Sequence, residues 1–245
     1  MRIPRIFTEQ VLLPGAAIEL DSGPAQHVGR VLRMGPGDPL TLFDGRGGEY
    51  PSRIVSVERR RVVAQTGEHV AIERESPLRI HLGIAVSRGD RMDWVVQKAT
   101  ELGVDEISPL FTERTEVKLT GERAEKKTRH WRQVATSACE QCGRNRLPAI
   151  RPPQQLSPWL SAAEEEARFV LHHRAGPQGV SGATPTGAAL LIGPEGGLDE
   201  PEIEAAQAAG FQALALGPRV LRTETAPLAA IALLQARWGD MKPPA

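Results

Sequence analysis

Cysteine, tyrosine and phenylalanine are scarce in this chain and its apolar runs are all short; each shortage removes a class of function. The two cysteines, Cys139 and Cys142, form a C-x-x-C pair, but no second Cys or His pair lies nearby to complete a tetrahedral metal site and the surroundings are not thioredoxin-like. Neither a metal centre nor a redox pair is therefore expected. Cys139 reads as a small buried residue near a helix end, with Gly143 as the C-terminal cap. One Tyr and five Phe are too few for an aromatic platform on which nucleobases stack. No run approaches the ~18 apolar residues of a membrane span, and the N-terminal MRIPRIFTEQ lacks a signal-peptide core. A cytoplasmic chain with no membrane partner is the expectation. Thirty basic and thirty acidic residues cancel, which excludes a uniformly charged surface.

That cancellation conceals a local excess. Between Lys118 and Arg151 nine Lys and Arg stand against three Glu, whereas acids lead from Pro152 onward. A positive field confined to one segment suits a protein that meets a polyanion with one face, and a solvated helix face gives the same pattern.

With 40% hydrophobic residues in 245, the chain can bury one large core or two modest ones. The first 70 residues read as a small β barrel or sandwich: AAIEL, PLTLFD, EYPSRIVSV and VVAQT are strand-like, and DGRGG is a hairpin signal. After EHVAIERESP the pattern becomes α/β, which divides the chain into domains 1–73 and 74–245. LRIHLGIAV is followed by a helix from Asp90, its N-cap, with Met92, Val95, Val96, Ala99 and Leu102 on one face and Gly103 as its stop, then by VDEISPLF. A long polar helix covers Glu122 to Cys142, and Ser157 with Pro158 opens a short one. RFVLHH, AALLI and FQALAL are three further strands of a mostly parallel sheet. Here His172 and His173 close a strand, as edge packing or solvent contacts.

Two near-matching units, LLIGPEGGLDEPEIEAAQAAG and ALALGPRVLRTETAPLAAIALLQARW, each run from an apolar strand through a Gly-Pro loop into a helix. The first helix starts with Asp199 and Glu202 at capping-box spacing and stops at Gly210. The second takes Pro227 in its first turn and buries Ile231, Leu234 and Trp238. Adjacent loops of this kind make a crevice rich in backbone NH and C=O groups, suited to a nucleotide-shaped ligand. Neither loop has a phosphate-motif spacing, and Glu195 would repel an anion. An adenosine moiety carrying a positive sulfonium fits better, with Leu171, Leu216 and Leu221 over its faces. Gly193, Gly196, Gly197 and Gly217 allow close backbone approach, although each taken singly reads first as an ordinary tight turn between sheet and helix. In LGPRVLRTETAP, Arg222 can hold an anionic base or a phosphate, and Glu224 can accept a proton or orient Arg222. The same spacing also describes a surface ion pair.

GPEGG, LGPRVLRTETA, ATELGV, ACEQCGRNR, HVGRVLRMGPGD and the N-terminal RIF, in that combination, resemble the ribosomal RNA small subunit methyltransferase E family of the SPOUT superfamily. The similarity runs nearly end to end. It implies S-adenosylmethionine as methyl donor, no metal, and methylation of N3 of a uridine in 16S rRNA in the decoding region. It also implies a PUA-like β-barrel at the N-terminus, a C-terminal α/β domain with a deep trefoil knot, and a homodimer. The knot comes from the resemblance alone, since chain connections are ordinarily unthreaded. AGPQGVSGATPTG, between two knot strands, reads as a variable or mobile segment.

Carried over by position, the donor pocket would comprise Leu171, His172, Gly193, Pro194, Glu195, Gly196, Gly197, Leu216, Gly217, Leu221, Thr225 and Ala226. Arg222 and Glu224 would be catalytic: uridine N3 keeps its proton at neutral pH and needs both a base and stabilisation of the resulting negative ring. RNA contacts would fall to Arg2, Arg5, Arg30, Arg33, Arg88, Arg114, Arg144 and Arg146, with 16S rRNA in the assembled small subunit as partner. A non-catalytic RNA-binding assembly factor of the same fold, or a relative that methylates a ribose 2′-hydroxyl, are the alternative readings.

Overall fold

In a computed structural model of the chain, which describes residues 3–59, 61–172 and 183–241, two compact units form. The first contains Met1–Glu75 together with Cys139–Leu147, and the second Ser76–Ala138 with Pro148–Ala245. Cys139–Leu147 thus packs with the first unit although it lies within the stretch 74–245. Arg2, His173 and residues 175–182 of the glycine-rich segment lie outside the described residues.

The first unit is built on β1 (Arg5–Phe7), β2 (Ala17–Glu19), β3 (Pro39–Phe43), β4 (Tyr50–Val57) and β5 (Val62–Thr66). They form one mixed sheet in the order β1-β3-β4-β5-β2, in which β1 and β3 are parallel and the other pairs antiparallel. DGRGG closes the β3–β4 hairpin as its turn chemistry requires. Along β4 the alternation is realised in the packing: Tyr50, Ser52 and Ile54 are buried while Pro51, Arg53 and Val55 face out. Between β2 and β3 lies a short helix, α1 (Ser22–Gln26), continued by a π-helical turn at His27–Val31. Five residues are too few for a helical period to show, so the sequence carried no signal for either. Ile6, Leu12, Leu20, Val28, Leu40, Leu42, Ile54 and Val62 form the core.

Two arginines expected on an RNA-facing surface are interior residues of this unit. Arg144 is buried, and its guanidinium reaches the Glu75 carboxylate through Nε at 3.0 Å and Nη2 at 2.5 Å. Arg5 is paired with Glu49, donates to Asn145 Oδ1 at 2.6 Å and lies over the Phe43 ring at 4.8 Å. Asn145 in turn donates to the Ile72 carbonyl at 2.6 Å. The reason is electrostatic: a buried guanidinium must be paired, and two carboxylates and an amide pair these two, although Arg5 Nε stays buried without a partner among the described residues. Within RNRL, Arg144 and Asn145 therefore tie the end of a helix to the β unit, and Arg146 alone presents its charge outward.

The second unit contains β6 (Arg79–Ala85), α2 (Arg91–Glu101), β7 (Glu106–Phe111), α3 (Gly121–Cys142, whose last turn packs with the first unit), β8 (Ala149–Ile150), β9 (Gln154–Gln155), α4 (Leu156–Ala162), β10 (Ala167–Leu171), β11 (Gly187–Ile192), α5 (Glu200–Ala208), β12 (Gln212–Leu214) and α6 (Ala226–Trp238). Its strands are all parallel, in the order β12-β10-β11-β6-β7-β8, with β9 also on β7. The central strand β11 is wholly buried, and alternate residues serve different layers. Ala188, Leu190 and Ile192 pack in the core with residues of α2, α3 and α6, whereas Ala189 and Leu191 pack with Trp159 of α4 and Ala206 of α5. On the latter face a Cβ at Gly83 would stand 2.4 Å from the Trp159 ring, so only glycine admits that indole.

Helix ends follow the expected chemistry only in part: α4 starts at Leu156, one residue before Ser157, and the N-cap residues of α4 and α6 make no side-chain cap bond. Asp199 and Glu202 form a complete capping box, and α2 and α5 stop at Gly103 and Gly210, both at positive φ, with paired bonds such as Val104 N to Ala99 O. Asp90 is at the N-cap of α2, but its side chain makes no cap bond because its backbone is not extended (ψ 0°). Cys139 is buried and Gly143, at φ 94°, follows the end of α3.

Burial works to raise the pKa of Glu49, yet Arg5 and Arg74 outweigh it and hold the carboxyl below its ordinary value of 4.5. A depressed carboxylate contributes stability that is present above its unfolded pKa and is lost as the pH falls through the folded one. Acid titration of the fold should therefore show wild type losing more stability below pH 4.5 than Glu49→Gln, measured by urea unfolding at stepped pH. Parallel losses in the two proteins would contradict this account of Glu49.

Candidate active site

Because every strand of the second sheet runs the same way, the loops after β6, β7, β10, β11 and β12 gather at its carboxyl edge, where open α/β sheets hold their ligands. They surround a cleft of about 1040 Å³, large enough for a nucleotide-sized molecule. Leu171 and His172 line it from the end of β10, Gly193 to Gly197 from the loop after β11, and Leu216, Gly217, Leu221, Arg222, Glu224 and Ala226 from the loop after β12. Arg88, Arg114 and Thr115 complete the rim, while Thr225, exposed at the N-cap of α6, stands outside the residues that line the cleft. The two Gly-Pro loops are thus brought together, on the neighbouring strands β11, β10 and β12.

The glycines have different reasons to be there. A Cβ at Gly193 would meet the backbone N of Leu198 at 2.8 Å, so this position answers to the loop's own close packing rather than to a ligand. Gly197 closes a turn by donating to Pro194 O at 2.8 Å with φ 70°, and Gly217 has φ 90°. Pro194 is buried, and Arg114 donates to Gly196 O at 2.8 Å. Farther along, the Arg222 carbonyl accepts from Thr225 and Ala226, both at 2.9 Å, which fixes its backbone at the start of α6 and leaves the side chain exposed. Among the described residues no carboxylate pairs with that guanidinium, so the ion-pair alternative for Arg222 and Glu224 is not what forms.

Glu195 does not stand as an isolated negative charge. Its Oε1 accepts from Arg91 Nη1 at 2.6 Å. Burial pushes its pKa up, but its own backbone NH, Arg91 and the Arg88 backbone NH prevail and keep the carboxyl below its ordinary range. Arg88 itself pairs with Glu116. Of the other cationic candidates, Arg30 and Arg33 are exposed in the first unit, and Arg146 is exposed there with a Glu73 partner at 3.2 Å. The basic run is largely an exposed helix face, with Arg123, Lys126, Arg129 and Arg132 of α3 pointing to solvent. Among the described residues no group of three or more His, Cys, Asp or Glu could hold a metal ion, and no helix is long and apolar enough to cross a membrane.

The RNA methyltransferase domain family matches residues 74–235, and the RNA methyltransferase PUA domain family residues 24–66. Ribosomal RNA small subunit methyltransferase E of Buchnera aphidicola, from Schizaphis graminum, is 36% identical over 98% of both chains. The Bacillus subtilis protein of that name is 31% identical over 93% of each. The chain belongs to the ribosomal RNA small subunit methyltransferase E family. Its fold is correspondingly close to that of the Neisseria gonorrhoeae member solved with S-adenosyl methionine, at 40% identity and TM-score 0.92 over 98% of this chain and 100% of the other. A Legionella pneumophila protein solved with the bound cofactor SAM superposes with TM-score 0.95 at 43% identity, over 98% and 100%.

Within this family member, residue-level reading missed Arg91, which braces the first loop. Helical periodicity gives it no core role, and its partner Glu195 lies 104 positions away. The loop's dependence on its own glycines is measurable. Gly193→Ala, by overpacking against backbone, should cost about 1–3 kcal/mol, and Gly217→Ala, forced into a left-handed conformation, about 1–2 kcal/mol. Denaturant midpoints that match wild type in either variant would show the loops to be looser than described.

Proposed function

We propose that this chain uses S-adenosylmethionine to methylate N3 of a specific uridine in 16S rRNA, in the decoding region of the small subunit. What carries the reading is the cleft itself, walled by the GPEGG and LGPRVLRTETA loops at a parallel-sheet edge, in a family whose close structural neighbour holds S-adenosyl methionine. Leu171, Leu216 and Leu221 supply apolar cover for an adenine ring, and loop amides and carbonyls its polar edge. The residues present therefore fit the donor.

Held by the two loops, the donor would supply an electrophilic methyl whose carbon–sulfur bond would break as N3 bonds to it, the electron pair staying on sulfur. The chain's task is to make N3 nucleophilic. Glu224 accepts the N3 proton and passes it to solvent, while the Arg222 guanidinium faces the uracil oxygens over which the negative charge spreads. Residues 1–73 act as a PUA-like RNA-binding barrel and 74–245 as a SPOUT domain. The knotted path belongs to that family resemblance. The protein works as a homodimer in the cytoplasm, on the assembled small subunit. RNA contacts fall to Arg2, Arg30, Arg33, Arg88, Arg114 and Arg146, helped by the outer face of α3.

Arg222→Ala should lower the methylation rate of subunits lacking the modification by about 100-fold, the effect of deleting one stabilising donor, with S-adenosylhomocysteine affinity unchanged. Nuclease digestion and mass analysis locate the methyl: a product on a ribose hydroxyl, or full activity in the variant, would overturn the assignment. With Arg144 internal, at most five excess charges of the basic segment remain for RNA, so the log–log salt slope of binding should be no steeper than about −3.5 per subunit. A salt-independent affinity would remove the electrostatic part.

A further inference from the structure

Three of the four tryptophans are core residues: Trp131, Trp159 and Trp238 are 1%, 2% and 6% exposed, whereas Trp94 is 50% exposed. It stands on α2 off the buried stripe of Met92, Val95, Val96 and Ala99. An indole left half in water costs free energy unless something covers it. Trp94 lines a recess of about 670 Å³ with Arg88, Gly89, Asp90, Arg91 and Glu224, and the Lys98 ammonium lies 5.2 Å from its ring centroid. Arg88, Arg91 and Glu224 also line the donor cleft, so the recess adjoins the cleft along these three side chains.

We propose that this recess is the subsite for the acceptor base, with Trp94 as the face on which a uracil ring stacks. The inference rests on the methyltransferase reading and names the site that reading lacks. The uracil edge offers one donor, N3–H, between two carbonyl acceptors; the recess offers the Glu224 carboxylate as acceptor and the Arg88 and Arg91 guanidinium groups as donors. Each guanidinium has five N–H groups, so the pairs with Glu116 and Glu195 leave donors available. Cytosine presents a bare N3 and an amino group along the same edge. Its N3 lone pair would face Glu224, leaving a carboxylate against an acceptor. Asp90 is a second carboxylate of the recess, but Glu224 is the one that also borders the cleft. A single indole suffices for one turned-out base, which reconciles the site with a chain too poor in aromatics for a stacking platform.

Trp94 also provides the probe, because the other indoles are shielded. With S-adenosylhomocysteine present, a short oligouridylate should quench tryptophan emission and protect it from acrylamide, and an oligocytidylate of equal length should bind about tenfold more weakly. Trp94→Phe should abolish the quenched component. In methyl transfer to small subunits, Trp94→Ala should lose about tenfold or more in kcat/KM, Trp94→Phe should recover most of it, and both should keep wild-type affinity for S-adenosylhomocysteine and wild-type mass by light scattering. Equal binding of the two oligonucleotides, full activity in Trp94→Ala, or a donor affinity that falls with the rate would each overturn the subsite. So would a change of mass in Trp94→Ala, which would mean that a second copy of the chain covers the indole. The fluorescence titration needs no turnover, so it judges the recess even if wild type fails to methylate subunits, a result that would instead sink the methyltransferase reading.

Discussion

The parallel alignment of β12, β10, β11, β6 and β7 is the constraint on which the candidate site depends. Parallel strands end on the same side, and their loops must satisfy their own backbone groups there or expose them. Here the loops do some of each. Pro194 O accepts from Gly197 and Arg222 O from the start of α6, while the surrounding backbone faces a cleft of about 1040 Å³. The alignment in turn depends on β11, whose six residues are all buried and whose two faces feed separate cores. A polar residue at Leu190 or Leu191 would damage the cleft without touching it.

Charge is used for two different purposes in this chain. In the first unit, Arg5 and Arg144 are drawn inside by Glu49 and Glu75, and Arg5 also holds RNRL through the Arg144 carbonyl and Asn145 Oδ1. In the second, Arg88, Arg91 and Arg114 stay at the rim, each held by one oxygen partner and still partly exposed. Interior pairs of the first kind set geometry, since breaking one strands a charge away from water. Rim pairs are worth little as stability and can exchange partners when a ligand arrives.

Much of the architecture was legible along the chain. Alternation found β4, the 3.6-residue stripe found α2, and DGRGG, the Asp199–Glu202 box and Gly103 marked a turn, a helix start and a helix stop, because each of these depends on neighbours within a few positions. Both Gly-Pro loops were visible for the same reason. Less visible was why Gly193 is glycine: the clash that forbids a side chain is with Leu198, within its own loop. The π-helical turn at His27–Val31 left no signal, being too short for a period.

What the sequence determined by itself was therefore local: which segments are strands and helices, where they stop, and which two loops could face a ligand. Tertiary structure alone decided which arginines are inside. Arg144 and Arg146 are two positions apart with the same chemistry, yet one is buried against Glu75 and the other exposed beside Glu73. It also decided that Trp94 and Glu224, distant in the chain, share one recess. Burial and long-range pairing depend on which surfaces meet, and no window of neighbouring residues contains that information.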